Sequence, residues 1–212
     1  MYLMPTSNPT GYKKMKRLLK LKNIVLSFDE DSGEIVQLTD TRTSSTVEWA
    51  YPQNPLGVLV YQTFVPADYE TFFSEYFYTS TSYGPLDFGK PGLKDVTKYK
   101  VSAKLQALYT NTNLSSFLVC LTFDPTLVQD YGAPTEAWIQ TDYDEESTSL
   151  MMTLYIVNKT STRRPESLSL VFQPPLSDMT VNKLGTVISV MDVVQNGSQH
   201  LGYFCINNIY TY

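Results

Sequence analysis

Asn23-Ile24-Val25-Leu26-Ser27-Phe28-Asp29-Glu30-Asp31-Ser32-Gly33-Glu34-Ile35-Val36-Gln37-Leu38-Thr39 is the stretch from which the fold class follows. Ile24, Leu26 and Phe28 stand at every second position, the period of a strand with one buried face. Asp31-Ser32-Gly33 then supplies turn chemistry, because glycine reaches the positive φ that a tight reversal needs. The apolar residues resume at Ile35 and run to Leu38, so residues 23–39 read as a β-hairpin.

Outward from the hairpin the same grammar repeats. Trp49 to Pro55 is a proline-punctuated loop and Leu56 to Phe64 an apolar strand. Further strands are expected at Val96–Tyr109, Ser116–Phe123, Glu136–Thr141, Leu150–Val157, Ser167–Phe172, Thr186–Val194 and Leu201–Tyr210. Turn-forming segments separate them: Asn111–Asn113, Tyr131-Gly132-Ala133-Pro134, the acidic run Asp142–Glu146, Pro174-Pro175 and Asn196-Gly197. One segment breaks the β rhythm. Pro66 suits a first helical position, and Tyr69, Phe72, Phe73, Tyr76 and Phe77 follow at i, i+3, i+4, i+7 and i+8, one face of a short helix. That stripe either packs on a sheet or forms a stacking platform for sugar rings. The expected architecture is mainly β, an antiparallel β-sandwich with one short helix near 66–77. Hydrophobic residues make up 42% of the 212, enough for a packed core. Residues 23–212 are expected to form one domain, and residues 1–22 a basic N-terminal arm or linker stub.

Net charge is −5 and unevenly placed. Lys13, Lys14, Lys16, Arg17, Lys20 and Lys22 lie in a segment free of acids, which leaves the rest of the chain strongly acidic. Such a body is a poor partner for nucleic-acid phosphates. Met15, Leu18, Leu19 and Leu21 share a helical face within the basic run, which reads as a solvated arm, the stub of a helix, or a surface for a membrane or a partner. No apolar run reaches the roughly 20 residues that cross a bilayer, and no secretory signal opens the sequence. A soluble chain is expected, with its compartment unassigned. Cys120 and Cys205 are too few for a disulfide framework and read as small buried residues.

Little in the chain points to chemistry of its own. There is one histidine, His200, and a zinc centre normally draws on several His, Cys or carboxylate ligands. Asp142, Asp144, Glu145 and Glu146 lack the glycine and ligand spacing of a calcium loop and read as a solvated turn. Glycoside hydrolysis needs two carboxylates held across a cleft, and Asp87, Glu136, Glu166 and Asp192 are the candidates outside ordinary loops. No catalytic or metal-binding set is expected within the chain.

Several motifs in order carry a resemblance. They are Asn54-Pro55-Leu56-Gly57 running into Val60-Tyr61-Gln62-Thr63-Phe64 and Asp68-Tyr69, then Asp87-Phe88-Gly89-Lys90-Pro91-Gly92-Leu93, then Tyr131-Gly132-Ala133-Pro134 with Trp138. Asn158-Lys159 with Arg163, Pro165 and Glu166 follow, and finally Asp192-Val193-Val194, Asn196-Gly197 and His200. Together they resemble the C-terminal β region of proteins similar to glycoside hydrolase family 38, the α-mannosidases, over residues 22–212. The resemblance implies a sandwich of the galactose-mutarotase-like type without the catalytic barrel, either a fragment or a product that pairs with a barrel in cis or in trans. No cofactor is implied for this chain, since zinc would belong to the barrel. It also implies a carbohydrate contact formed by Tyr61, Asp87, Lys90, Arg163, Glu166 and His200. A mutarotase-like isomerase would normally use more than one histidine. The rival readings are an independent carbohydrate-binding module using the tyrosine-rich surface around residues 69–83, and a structural or assembly protein.

Overall fold

The computed structural model describes residues 9–15, 18–42, 47–76, 96–146, 149–175, 180–183 and 185–189. The strands, in chain order, are β1 (Tyr12–Lys14), β2 (Leu18–Lys20), β3 (Ile24–Phe28), β4 (Ile35–Asp40), β5 (Val47–Ala50) and β6 (Leu56–Thr63), then β7 (Lys100–Ser102), β8 (Lys104–Asn111), β9 (Ser116–Thr122), β10 (Glu136–Asp144), β11 (Ser149–Val157), β12 (Glu166–Phe172), β13 (Thr180–Lys183) and β14 (Thr186–Ser189). Helix α1 (Pro66–Tyr76) follows β6 and helix α2 (Pro125–Tyr131) follows β9. The first sheet has the order β1-β8-β9-β10-β11, and the second β12-β6-β4-β3-β2 with β5 on β4 and β7 on β6. Every pairing among the described residues is antiparallel, and β13–β14 forms a hairpin apart from both sheets.

The two sheets meet through the side chains that the alternation selects. Leu26, Phe28, Ile35 and Tyr61 from the second sheet and Phe117, Val119, Leu121 and Ile139 from the first are buried in one core. Phe28 and Phe117 touch across it, with ring centroids 6.0 Å apart and tilted by 53°. The hairpin of residues 23–39 is bolted to the opposite sheet at its turn. Gly33 has φ +71°, and a Cβ there would stand 2.6 Å from Val119 Cγ1 and 2.9 Å from Leu105 Cδ1. Only glycine satisfies both the backbone and the space. Next to it, the Leu105 amide donates to the Asp31 carbonyl at 2.8 Å. The outer face of the first sheet carries a second cluster in which Tyr109 stacks on the fully buried Trp138, centroids 6.0 Å apart. Cys120 belongs to this cluster as a free thiol, and burial pushes its pKa up to about 12.

Several features depart from the sequence expectation, among them β5, which takes in Trp49, β13, and the extension of β10 through Asp142 to Asp144. The basic segment is knitted into the sandwich rather than standing apart as an arm. Tyr12–Lys14 pairs with β8 in one sheet, Leu18–Lys20 pairs with β3 in the other, and Met15, Leu19 and Leu21 pack against the core. The single strand expected over Val96–Tyr109 is two, because the chain changes sheets at the buried Ala103, whose amide donates to the Leu59 carbonyl at 2.8 Å. A second helix, α2, occupies Pro125–Tyr131. Asp124 caps it by accepting from the Thr126 amide at 2.9 Å, Pro125 opens it, and Gly132 ends it at φ 78°. Helix α1 forms at the expected place, with Tyr69 buried and Phe72 exposed, while Phe77 lies outside the described residues.

Candidate functional site

The residues singled out in the sequence divide in two. Asp87, Lys90 and His200 lie outside the described residues, as do Asp192 and Cys205. Tyr61, Arg163 and Glu166 are described, and two of them meet. The pairing of β6 with β12 sets Glu166 opposite Thr63 and Leu168 opposite Tyr61, which brings the Glu166 carboxylate to the Tyr61 ring edge. The Tyr61 hydroxyl lies 2.5 Å from Glu166 Oε2 and 2.7 Å from the carbonyl oxygen of Tyr131. A phenol has one hydrogen to give, so the two acceptors share it. Burial and the Glu166 carboxylate push the Tyr61 pKa well above its ordinary value. The ring is fully buried and sits edge-on to Phe123, so Tyr61 works here as a brace between elements and presents no open face for stacking.

Around this pair the polar groups are engaged. Lys159 Nζ donates to Glu166 Oε1 at 2.6 Å and to the Thr160 carbonyl at 2.9 Å. Both partners of that ion pair are largely covered, with side chains 27% and 19% exposed. The guanidinium of Arg164 lies 4.3 Å from the centre of the Tyr131 ring, a cation–π contact, and Tyr99 meets the same ring edge-on at 4.8 Å. Hydrogen bonding from Thr97 holds the Tyr131 phenol below its ordinary range, with burial acting against it and Tyr99 and Arg164 assisting. Thr63 stitches the segment before β7 to this end of the sandwich. Its hydroxyl donates to the Thr97 carbonyl at 2.7 Å and accepts from the Tyr99 amide at 2.8 Å. Arg163, by contrast, is exposed, and its neighbour Arg164 is the arginine that reaches Tyr131. Lys159 and Arg164 complete the cluster, although no motif in the sequence marks either as a site residue.

The other acidic candidates are also engaged. Glu136 accepts from the Trp138 indole nitrogen. Asp142 accepts from the Ser116 hydroxyl at 2.5 Å and from Gln140 Nε2 at 2.8 Å. Asp144 accepts the Glu146 amide at 3.0 Å, and Glu145 pairs with Lys22 at 2.7 Å, so the acidic run serves separate partners. Among the described residues no three His, Cys, Asp or Glu side chains come together in a way that would hold a metal ion. No helix there is long and apolar enough to cross a membrane.

The opposite end of the sandwich is built differently. Ile24 faces Asp40 where β3 begins and β4 ends, and Tyr143 and Leu150 face one another where β10 turns into β11. Between them lies a cavity of about 220 Å³ whose lining includes Asp40, Arg42, Trp49 and Tyr143.

Residues 5–151 match a family model described as a domain of unknown function, DUF5054. The match takes in more than half of the chain, which therefore belongs to that family. No curated protein and no solved structure matches the chain.

Proposed function

We propose that this member of the DUF5054 family is a non-catalytic β-sandwich of the galactose-mutarotase-like type that supports the catalytic barrel of a mannosidase-like glycoside hydrolase, in the same chain or a separate one. The observation that supports this reading is the state of Glu166. A glycosidase carboxylate must face substrate, as a general acid within reach of the leaving oxygen or as a base or nucleophile at the sugar carbon. Both oxygens of Glu166 instead face protein groups, Lys159 on one side and Tyr61 on the other. A carboxylate held this way fastens β12 to β6 and to the end of α2. In this reading zinc belongs to the barrel, and the exposed Arg163 joins Asp87, Lys90 and His200 in contacting the barrel or carbohydrate.

The test is activity against stability. The purified chain should leave 4-nitrophenyl α-D-mannoside intact with zinc supplied, and Glu166→Gln should lower the unfolding midpoint. Zinc-dependent turnover that survives repurification and disappears in Glu166→Gln would overturn the reading.

A further inference from the structure

We propose that the groove on the outer face of the second sheet, between β7 and β12, binds a primary aliphatic amine, with its ammonium at Glu34 and its chain along Val58 and Val60. The inference stands apart from the supporting role proposed above, since it concerns another face of the sandwich and needs no barrel.

Strand register builds the groove. Leu59, Tyr61 and Leu170 belong to the core, so their neighbours Val58, Val60, Ser169 and Val171 face outward. Val58 lies opposite Val171, and Val60 stands between Ser169 on β12 and Ser102 on β7. These residues line a space of about 290 Å³, in which Val58 and Val171 are recessed, only 9% and 8% exposed. The floor is therefore aliphatic from Val58 to Val60, a run of about 7 Å that suits a short alkyl chain.

Charge decides what the head of the ligand is and where it goes. Glu34 lines the groove, half-buried, beside the point where Ile35 pairs with Leu56. Across the β3–β4 hairpin its neighbour is a second acid, because the Asp29 amide donates to the Glu34 carbonyl at 2.8 Å. Burial and then the Asp29 charge push the Glu34 carboxyl above its ordinary range, with a hydrogen bond from Ser32 acting against them. Such a carboxylate favours a cation, and an ammonium also matches the net charge of −5 on the chain. Lys100 lines the groove too, but it pairs with Gln62 near the opposite end of β6, about 20 Å from Leu56. An anion at the Glu34 end would meet like charge, and a neutral chain would leave the carboxylate uncompensated. An alkylammonium answers both the floor and the charge. One carboxylate and a short apolar floor give affinity in the millimolar range.

A series of small probes tests head and chain separately. The amide signals of Val58, Val60 and Val171 in the 15N-labelled chain are followed at pH 7 and constant ionic strength while n-butylammonium, methylammonium, 1-butanol or butyrate is added. The expected result is a saturable shift of these valines with n-butylammonium. Methylammonium should bind at least about fourfold more weakly, the worth of a single buried methylene. The neutral isostere 1-butanol should bind about 10- to 100-fold more weakly, the worth of a charge-assisted hydrogen bond. Glu34→Gln should bring n-butylammonium down to the level of 1-butanol while the rest of the spectrum is retained. No saturable shift with n-butylammonium would overturn the proposal, and so would equal binding of 1-butanol or butyrate by the wild-type chain, which needs no variant to fold. Unchanged binding in Glu34→Gln would overturn it as well. Tighter binding of Nα-acetyl-lysine N-methylamide than of n-butylammonium would assign the groove to a lysine side chain of a partner protein instead of a free amine.

Discussion

The two ends of the sandwich draw on the same residue types and finish differently. At one end Tyr61, Glu166 and Lys159 come from β6, β12 and the segment before it, and Tyr61 and Glu166 stand 105 positions apart in sequence. At the other, Asp40 pairs with Arg42 only two positions on, in an exposed fork. A local pair can form with little help from the fold. A long-range pair forms only if both strands are in place, so it ties the fold together. Among the described residues, the Tyr61 hydroxyl has two acceptors and the Tyr143 hydroxyl has none. That difference makes the first end a brace, while the second is held by a local pair.

The largest effect expected from this comparison is at Glu166. Glu166→Ala leaves the largely covered Lys159 ammonium without its counter-charge, and charge-assisted hydrogen bonds contribute about 1.5–3 kcal/mol. A loss of about 2–3 kcal/mol should appear in urea unfolding, whereas a loss under ~0.5 kcal/mol would place the pair among ordinary surface contacts. A second test is alkaline. The Tyr61 pKa is raised in the folded state, so its contribution is intact below the unfolded value near 10 and declines as pH rises beyond it. Wild type should lose stability above about pH 10 more steeply than Tyr61→Phe, as followed by thermal unfolding across that range. The smallest effect belongs to the fork. Arg42 holds the Asp40 carboxyl down to about 2, so whatever the pair contributes is present above the unfolded value near 4 and lost as pH falls toward 2. Because the pair is exposed, Arg42→Ala should barely move the unfolding midpoint at pH 7 and should flatten the acid limb only slightly.

What the sequence made legible was local. The alternation of Ile24, Leu26 and Phe28 with the turn at Gly33 located the hairpin, and the spacing of Tyr69 and Phe72 after Pro66 located α1. Helix α2 escaped notice although Asp124-Pro125 and Gly132 are its start and stop signals. Seven residues are too few to show a helical period, and Tyr131-Gly132-Ala133-Pro134 read as a plain turn. The basic segment misled for a related reason. Strands of three residues fix no period, so the spacing of Met15, Leu18, Leu19 and Leu21 fits a helix face as readily as two short edges. At the candidate site, the sequence singles out both Tyr61 and Glu166, but their meeting depends on the β6–β12 register, which no local pattern encodes. Which of two adjacent arginines turns inward was equally hidden. The Trp49 cavity had no motif to announce it, since its lining comes from β3, β4, β5, β10, β11 and the turn after β4.

One substitution made at both ends tests the central claim most directly. Tyr61→Phe and Tyr143→Phe each delete one hydroxyl from a largely buried ring, and urea unfolding of the two variants measures what each hydroxyl was worth. Tyr61→Phe should lose about 1–3 kcal/mol, because it leaves the Tyr131 carbonyl and the Glu166 carboxylate short of a donor. Tyr143→Phe should be neutral or gain up to ~1 kcal/mol, because its hydroxyl is buried with no partner among the described residues. Equal losses at the two positions, or a larger loss at Tyr143, would mean that both hydroxyls are satisfied alike and that the ends do not differ in the way described.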